Sequence, residues 1–439
     1  MDYRMEKPGM ELRPSLLGYG CMRFPRKKDR TVDEEKVAQL IHRAMESGVT
    51  YYDTAWFYHD GESEPILGRI LSQYPRESYY LATKMPCAII DSLEQAKDIF
   101  AKQMERLQMD HFDFYLLHSL SGRSWKRMLE LGVVDFLEQC HREGKFRWFG
   151  FSFHDEYEAF EEILRARNWD FCQIQLNYMD RDIQAGLRGH DLALELGVPL
   201  VIMEPVKGGL LAQPPEEVLE PLRALDPNAT PSSWAMRWVG SLPGVKVVLS
   251  GMSSMEQLED NLSTFSNFRP LSEEERAAVD ETAHRLAQRV KNGCTGCRYC
   301  MPCPAGVDIP KSFRIWNRME MYQNYPVTRY SWREMPAEAR PDQCYRCGRC
   351  ERLCPQHLPI RAQLAQAQEE ICQMRDICLE ALNTLHQREA GDLLWLTDVS
   401  ALEQRIDDMT DLFRKDQLER MKAGTCSDEA CILYSELLT

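Results

Sequence analysis

A chain of 439 residues, 44% hydrophobic and 28% charged, has an ordinary globular composition and the length of two or three domains. Its formal net charge of −15 argues against nucleic acid or an anionic membrane surface as a standing partner. The first twenty residues lack an apolar signal core and no apolar run is long enough to span a bilayer, so a cytoplasmic protein without membrane association is expected. Sixteen cysteines in so large a chain then point to metal sites and free thiols rather than a disulfide framework.

From residue 16 to about 265, short β-rich runs alternate with amphipathic helical stretches. The strand candidates, in chain order, are LLGYGCM, VTYYDTA, YYLATKM, FDFYLLH, RWFGFSF, FCQIQLNY, PLVIMEP and KVVLSG. A helical pattern follows each: DEEKVAQLIHRAMESG, SEPILGRIL, LEQAKDIFAKQMERL, WKRMLELGVVDFLEQC, EYEAFEEILRA, QAGLRGHDLALEL, SSWAMRWVGSL and SMEQLEDNL. Eight strand–helix units predict a closed parallel (β/α)8 TIM barrel over residues 1–270. An open doubly wound sheet would need a Gly-rich dinucleotide loop after an early strand, and the chain has no GxGxxG. Residues 271–290 read as a linker helix and 291–360 as a cysteine-rich domain. Residues 361–439, with IRAQLAQAQEEICQMRDICLEALNTL and ALEQRIDDMTDLFRKDQLERM, read as a helical tail.

Barrels place their chemistry where strands end. Asp53 ends VTYYD, Lys84 ends YYLATK, His118 ends FDFYLLH, and Tyr58 lies five residues beyond Asp53. A tyrosine, with an ordinary pKa near ~10, is a poor acid at neutral pH until a neighbouring ammonium stabilises its phenolate. A buried lysine in turn needs a carboxylate, and a histidine can polarise a carbonyl oxygen. The four together suit protonation of an alkoxide as hydride arrives at carbon.

These residues carry a resemblance to the aldo/keto reductase family, running from MDYRMEKPGMELRPSLLGYGCMR through SGMSSMEQLEDNL. DTAWFY is similar to the family's Asp-Thr-Ala-x-x-Tyr, and LATKM and LLHS to its lysine and histidine segments. The resemblance implies Tyr58 as general acid/base, Lys84 and Asp53 as the groups that tune it, and His118 as the group that positions substrate. It also implies a nicotinamide dinucleotide, NADH or NADPH, and a small carbonyl or alcohol substrate. Ser152 and Gln173 would hold the nicotinamide carboxamide. Gly208, Gly209 and Leu210 would line the pyrophosphate, with Ser250 and Gly251 near phosphate and Asn261 near adenine. Gln173, Gln175 and Asn177 alternate along CQIQLNY and so share one strand face. Three positions depart from the family pattern. Phe153 stands where an Asn is common, Met203 where a tyrosine often stacks on the nicotinamide, and Gln257 where an Arg often grips a 2′-phosphate.

Two cysteine runs remain. Cys294, Cys297, Cys300 and Cys303 are separated by two residues each and followed by Pro304. Cys344, Cys347, Cys350 and Cys354, followed by Pro355, match C-x2-C-x2-C-x3-C-P, the bacterial ferredoxin signature. In two-cluster ferredoxins the fourth cysteine of each run ligates the other cluster, so a pair of runs predicts two [4Fe–4S] clusters. Zinc sites use separated CxxC pairs and fit this spacing poorly. The segment resembles the ferredoxin-like tail of a subgroup of aldo/keto reductases. The expected protein is an oxidoreductase that joins hydride transfer to one-electron carriers, with a redox partner protein in view. The alternative is an iron–sulfur electron-transfer protein with a catalytically idle barrel. A flavin could join the two halves, although no flavin motif is visible.

Overall fold

The computed structural model describes residues 1–6, 13–27 and 29–386. Eight strands close into a parallel barrel in sequence order: β1 Leu17–Gly20, β2 Tyr51–Asp53, β3 Tyr80–Met85, β4 Phe112–Leu120, β5 Phe146–Phe153, β6 Phe171–Gln175, β7 Leu200–Met203 and β8 Val245–Ser250. β8 pairs with β1 and completes the ring. Each candidate strand lies where its pattern put it. The candidate helices form as well, including Glu34–Glu46, Leu93–Leu107 and Met255–Ser266. One differs. The pattern read as a single helix after β4 is two, Gly122–Glu130 and Val133–Arg142. Gly132 between them adopts φ +70°, a left-handed conformation that ends the first helix and that glycine adopts without steric cost.

Strand parity explains the barrel. Tyr51, Tyr80, Phe114, Trp148, Phe171, Val201 and Val247 belong to one buried cluster inside it. The Phe114 ring is central, with centroids 5.0 Å from Tyr51, 4.7 Å from Trp148 and 5.1 Å from Phe171. Burying each such ring is worth about 1.5–3 kcal/mol. Gly150 makes room for them, since a Cβ there would stand 2.6 Å from the Phe171 ring. Two or four residues further along the same inward columns, the side chains become polar: Asp53, Lys84, His118, Ser152 and Gln173. The aromatic layer is thus the floor on which a polar layer rests.

The described chain divides into two compact units. One is Met1–Ala212 with Leu222–Asp280, and the other Gln213–Pro221 with the described residues from Glu281 to His386. In the second, helix Ile309–Tyr322 packs on the start of helix Ile360–His386 around Ile309, Phe313, Trp316, Leu364 and Ala367. Cys300 and Cys350 belong to that core. Asn292 ties the entry to the first cysteine run, its amide accepting from Cys294 N–H at 2.8 Å and donating to Gln363 at 2.7 Å. The expected linker helix spans Glu273–Gln288. The helical pattern expected at ALEQRIDDMTDLFRKDQLERM lies outside the described residues. Among the described residues no helix is long and apolar enough to cross a membrane.

Candidate functional site

Lys84 is the centre of the polar layer. Fully buried, its ammonium donates to Asp53 Oδ1 at 2.5 Å and to the Thr54 carbonyl at 2.7 Å. It also stands 5.1 Å from the centroid of the Tyr58 ring. Burial works against the charge on Lys84, but Asp53 and Tyr58 outweigh it and hold its pKa above the lysine range. The backbone that carries Lys84 is clamped from below. Gln103 donates to the Lys84 carbonyl at 3.0 Å and to Glu64 at 2.6 Å, while Thr83 donates to Glu64 at 2.8 Å. Glu64 lies in the first turn of the helix Ser63–Leu71 that follows Tyr58, so one buried carboxylate ties the tyrosine's element to the lysine's strand.

Tyr58 is half-buried at the start of a short 3-10 turn, where His59 and Asp60 take φ of 55° and 57°. That tight left-handed pair turns the chain over the barrel mouth. Burial holds the Tyr58 phenol above its ordinary value, and the Lys84 ammonium offsets part of that rise. His118 meets Tyr58 edge to face with ring centroids 5.9 Å apart. β4 does not end at His118 as the pattern suggested. It continues to Leu120 through a register shift after Leu117, with Ser119 at φ 52°. Such a bulge re-aims a side chain at a barrel rim. Burial, with Lys84 and His154 nearby, lowers the His118 pKa to about 3. The imidazole is therefore neutral in ordinary buffers and has one N–H to donate.

Beside this tetrad, Ser152 and Gln173 are direct partners across β5 and β6, and both are buried. Ser152 Oγ accepts from Ser119 N–H at 2.8 Å. Gln173 Oε1 is buried without a hydrogen-bond partner. A buried, unpaired amide oxygen costs about 1–3 kcal/mol and suits a donor brought by a ligand, such as a carboxamide. Gln175 and Asn177 serve differently: both donate to Asp180 at 3.1 Å, and Asp180 also pairs with Lys207. That network holds the loop containing Gly208 (φ 65°) and Gly209 (φ 99°) against the mouth, with Leu210 buried behind it. Ser250 and Asn261 meet directly, Asn261 Nδ2 donating to Ser250 Oγ at 2.8 Å.

The three departures have structural counterparts. Phe153 points outward and packs on Phe160, with centroids 5.2 Å apart. Met203 joins the inward column of β7, opposite Gln175. Gln257 accepts from Ser253 N–H at 2.8 Å and so braces the start of helix Met255–Ser266. Arg23, not singled out in the sequence, lies between two of the loops: its methylenes come within 3.2 Å of where a Gly251 Cβ would stand, and its guanidinium within 3.3 Å of a Gly208 Cβ. Only its position, directly after the first strand in GCMR, could have drawn attention to it.

In the second unit the eight cysteines gather into two cups. One is lined by Cys344, Cys347 and Cys350 of the second run with Cys303 of the first. The other holds Cys294, Cys297 and Cys300 of the first with Cys354 of the second. Cys300 reaches the wall of both cups, as does Ile309. The thiols feel one another mostly in the same grouping: Cys354 acts on Cys294, and Cys303 and Cys344 on Cys350, while Cys300, which reaches both cups, feels Cys294 and Cys297 and also Cys350. The remaining walls are mainly apolar, with Pro304, Ala305 and Leu364 in one and Phe313, Leu358 and Ile360 in the other. Among the described residues no three potential ligands are spaced to grip one metal ion. Thiols set apart around a cup fit the corners of a four-iron cluster, whose irons each take one thiolate, better than a single tetrahedral ion.

Residues 16–284 match the model of the aldo/keto reductase family, and residues 293–358 match that of a 4Fe-4S dicluster domain. The chain belongs to the aldo/keto reductase family. An uncharacterized oxidoreductase of Bacillus subtilis, YqkF, is 27% identical over 295 residues, which are 60% of this chain and 91% of the relative. A probable aldo-keto reductase of Glycine max is 25% identical over 291 residues, 57% of this chain and 81% of its own. Among solved structures, the aldo-keto reductase AKR11C1 from Bacillus halodurans superposes with a TM-score of 0.53 at 26% identity, covering 63% of this chain and 95% of its own. The protein is accordingly an NAD(P)-dependent oxidoreductase that carries an iron–sulfur domain.

Proposed function

We propose that the barrel reduces a small carbonyl compound, or oxidises the matching alcohol, and that the second unit holds two [4Fe–4S] clusters that exchange electrons with a partner protein in a reducing cytoplasm. The observation that carries the catalytic part is the buried Asp53–Lys84 pair standing beneath the Tyr58 ring. A bound nicotinamide dinucleotide, NADH or NADPH, supplies the hydride. The chain's own groups do the rest. The Tyr58 hydroxyl gives its proton to the carbonyl oxygen as that oxygen gains charge. Lys84 stabilises the phenolate left behind, and Asp53 keeps Lys84 charged in a dry site. Neutral His118 donates to the same oxygen and fixes its direction. Ser152 and Gln173 orient the carboxamide, with the bare Gln173 Oε1 as acceptor. The loop at Gly208, Gly209 and Leu210, Arg23, and the Ser250–Gly251 turn receive the pyrophosphate, with Asn261 beneath the adenine end.

For the second unit, the two cups, each with four thiols and apolar walls, fit two cubanes. The residues that would hold them are Cys303, Cys344, Cys347 and Cys350 in one cup and Cys294, Cys297, Cys300 and Cys354 in the other. Hydride brings two electrons together, whereas a cluster takes one. Traffic between the two sites therefore needs a mediator, a flavin or a substrate that accepts single electrons.

The test is turnover of a panel of aldehydes and ketones by iron-replete protein with each nicotinamide across pH. Because His118 is already neutral and Tyr58 stays protonated, neither titrates in the window, and activity is expected to be flat between about pH 5 and 8. No turnover across the panel would favour the idle-barrel alternative. A histidine-like titration within the window would remove neutral His118 from the mechanism.

A further inference from the structure

The chain as a whole is acidic, but its charge is divided. Residues 291–360 contain eleven Lys and Arg against six Asp and Glu, in a chain of formal net charge −15. Part of that surplus offsets the thiolates and sulfides of the clusters, whose own charge belongs in the account. The rest faces solvent. Arg346 lines the cup formed by Cys303, Cys344, Cys347 and Cys350, Arg349 and Arg352 stand on the short helix Arg349–Leu353 that carries Cys350, all three are exposed, and none makes an ion pair among the described residues. Arg352 and Arg361 converge over Gly348, next to Cys347, each guanidinium within 3.6 Å of where a Cβ would stand. Arg361 is held by Glu351 at 2.7 Å and is the fixed member of the group. Two large apolar side chains are exposed in the same stretch of chain: Tyr345, which lines the cup, is 62% exposed, and Leu353, at the end of that helix, 44%. Cys347 itself is exposed between them.

A solvent-facing set of unpaired arginines mixed with an aromatic and a leucine has the composition of an interface core with a charged rim. Arginine and tyrosine are the residue types that carry binding energy at such surfaces. Because Cys347 is exposed, whatever docks there comes close to one of the cup's thiols.

We propose that the face built by Tyr345, Arg346, Arg349, Arg352 and Leu353 docks an acidic protein that carries a one-electron centre. The proposal rests on the reading of this cup as a cluster site. Charge complementarity selects the occupant: a protein with a negative face is steered to this locally basic face of a chain that is acidic as a whole. In the docked pair one electron passes between the reduced carrier and the oxidised cluster, or back. The carrier changes by one electron and the cluster by one, with no bond made and no proton moved.

The experiment titrates the iron-replete full-length protein with an acidic plant-type [2Fe–2S] ferredoxin as probe and measures the dissociation constant at low and high ionic strength. The parent is expected to bind at low salt and to lose affinity steeply as salt rises. Arg346→Glu combined with Arg349→Glu should weaken binding by about ten- to a hundredfold, because the reversals set like charges face to face across a solvent-exposed contact. Lys126→Glu, an exposed cation of the barrel unit, makes part of the same change in net charge and should leave binding unaltered. Iron content of each variant is measured alongside, so that a missing cluster is distinguished from a failed docking face. Binding that ignores salt and the arginine reversals, or that responds equally to Lys126→Glu, overturns the proposal. So does a parent that binds the probe only after removal of residues 387–439, which carry twelve acidic and six basic side chains, since the chain's own tail would then be the occupant.

Discussion

The Tyr58→Phe protein is expected to reduce carbonyl substrates about 10²–10⁴-fold more slowly than the parent while binding nucleotide almost as well. The substitution removes one oxygen and keeps the ring that meets His118 edge to face and lies against the Lys84 ammonium. The cofactor loops at Gly208 and Gly251 belong to other strands and keep their own supports, Asp180 and Asn261. What is lost is the proton that the forming alkoxide takes. Neutral His118 cannot replace it: its N–H donates a hydrogen bond, but burial beside Lys84 makes the imidazolium costly, so the ring carries no extra proton to give. The defect should therefore fall on kcat with KM for nucleotide little changed. Parental activity in this variant would take Tyr58 out of the mechanism.

The second large effect separates two ways of grouping the eight cysteines. If each cup holds one cluster, Cys303→Ala and Cys347→Ala each remove about four irons per chain, and combining them removes no more, because both changes open the same cup. Cys303→Ala combined with Cys294→Ala opens both cups and leaves almost no iron. A grouping by sequence run predicts the reverse, with Cys303 and Cys294 redundant and Cys303 and Cys347 additive. The loss should also loosen the second unit, since Cys300 and Cys350 are part of its buried core and ligand binding contributes directly to folding in small metal domains. Iron analysis of the purified variants reads out the pattern.

The residues explain how much of this was legible. Strand parity and a polar residue at the end of an apolar run are local, so Asp53 and Lys84 could be placed on one rim from the sequence alone. Cys-x2-Cys spacing is equally local, and the crossing of the fourth cysteines follows from likeness to two-cluster ferredoxins. What could not be read depends on contacts distant in sequence. The bulge at Ser119 that carries β4 past His118 leaves no mark in an apolar pattern. The Lys207–Asp180 pair joins residues on two different loops. Arg23 acquires its place only because β8 closes on β1 and brings Gly251 beneath its side chain. The break at Gly132 was hidden because the helical period resumes immediately after it. The basic face beside Cys347 was hidden by averaging: a net charge of −15 for the whole chain says nothing of a local surplus within residues 291–360.

The account stands most directly on iron, acid-labile sulfide and zinc counted in protein purified without oxygen. Two cubanes require about eight irons and about eight sulfides per chain, with zinc near zero. Stoichiometric zinc with little iron would contradict the cluster reading outright, and about four irons would leave one of the two cups without its cluster.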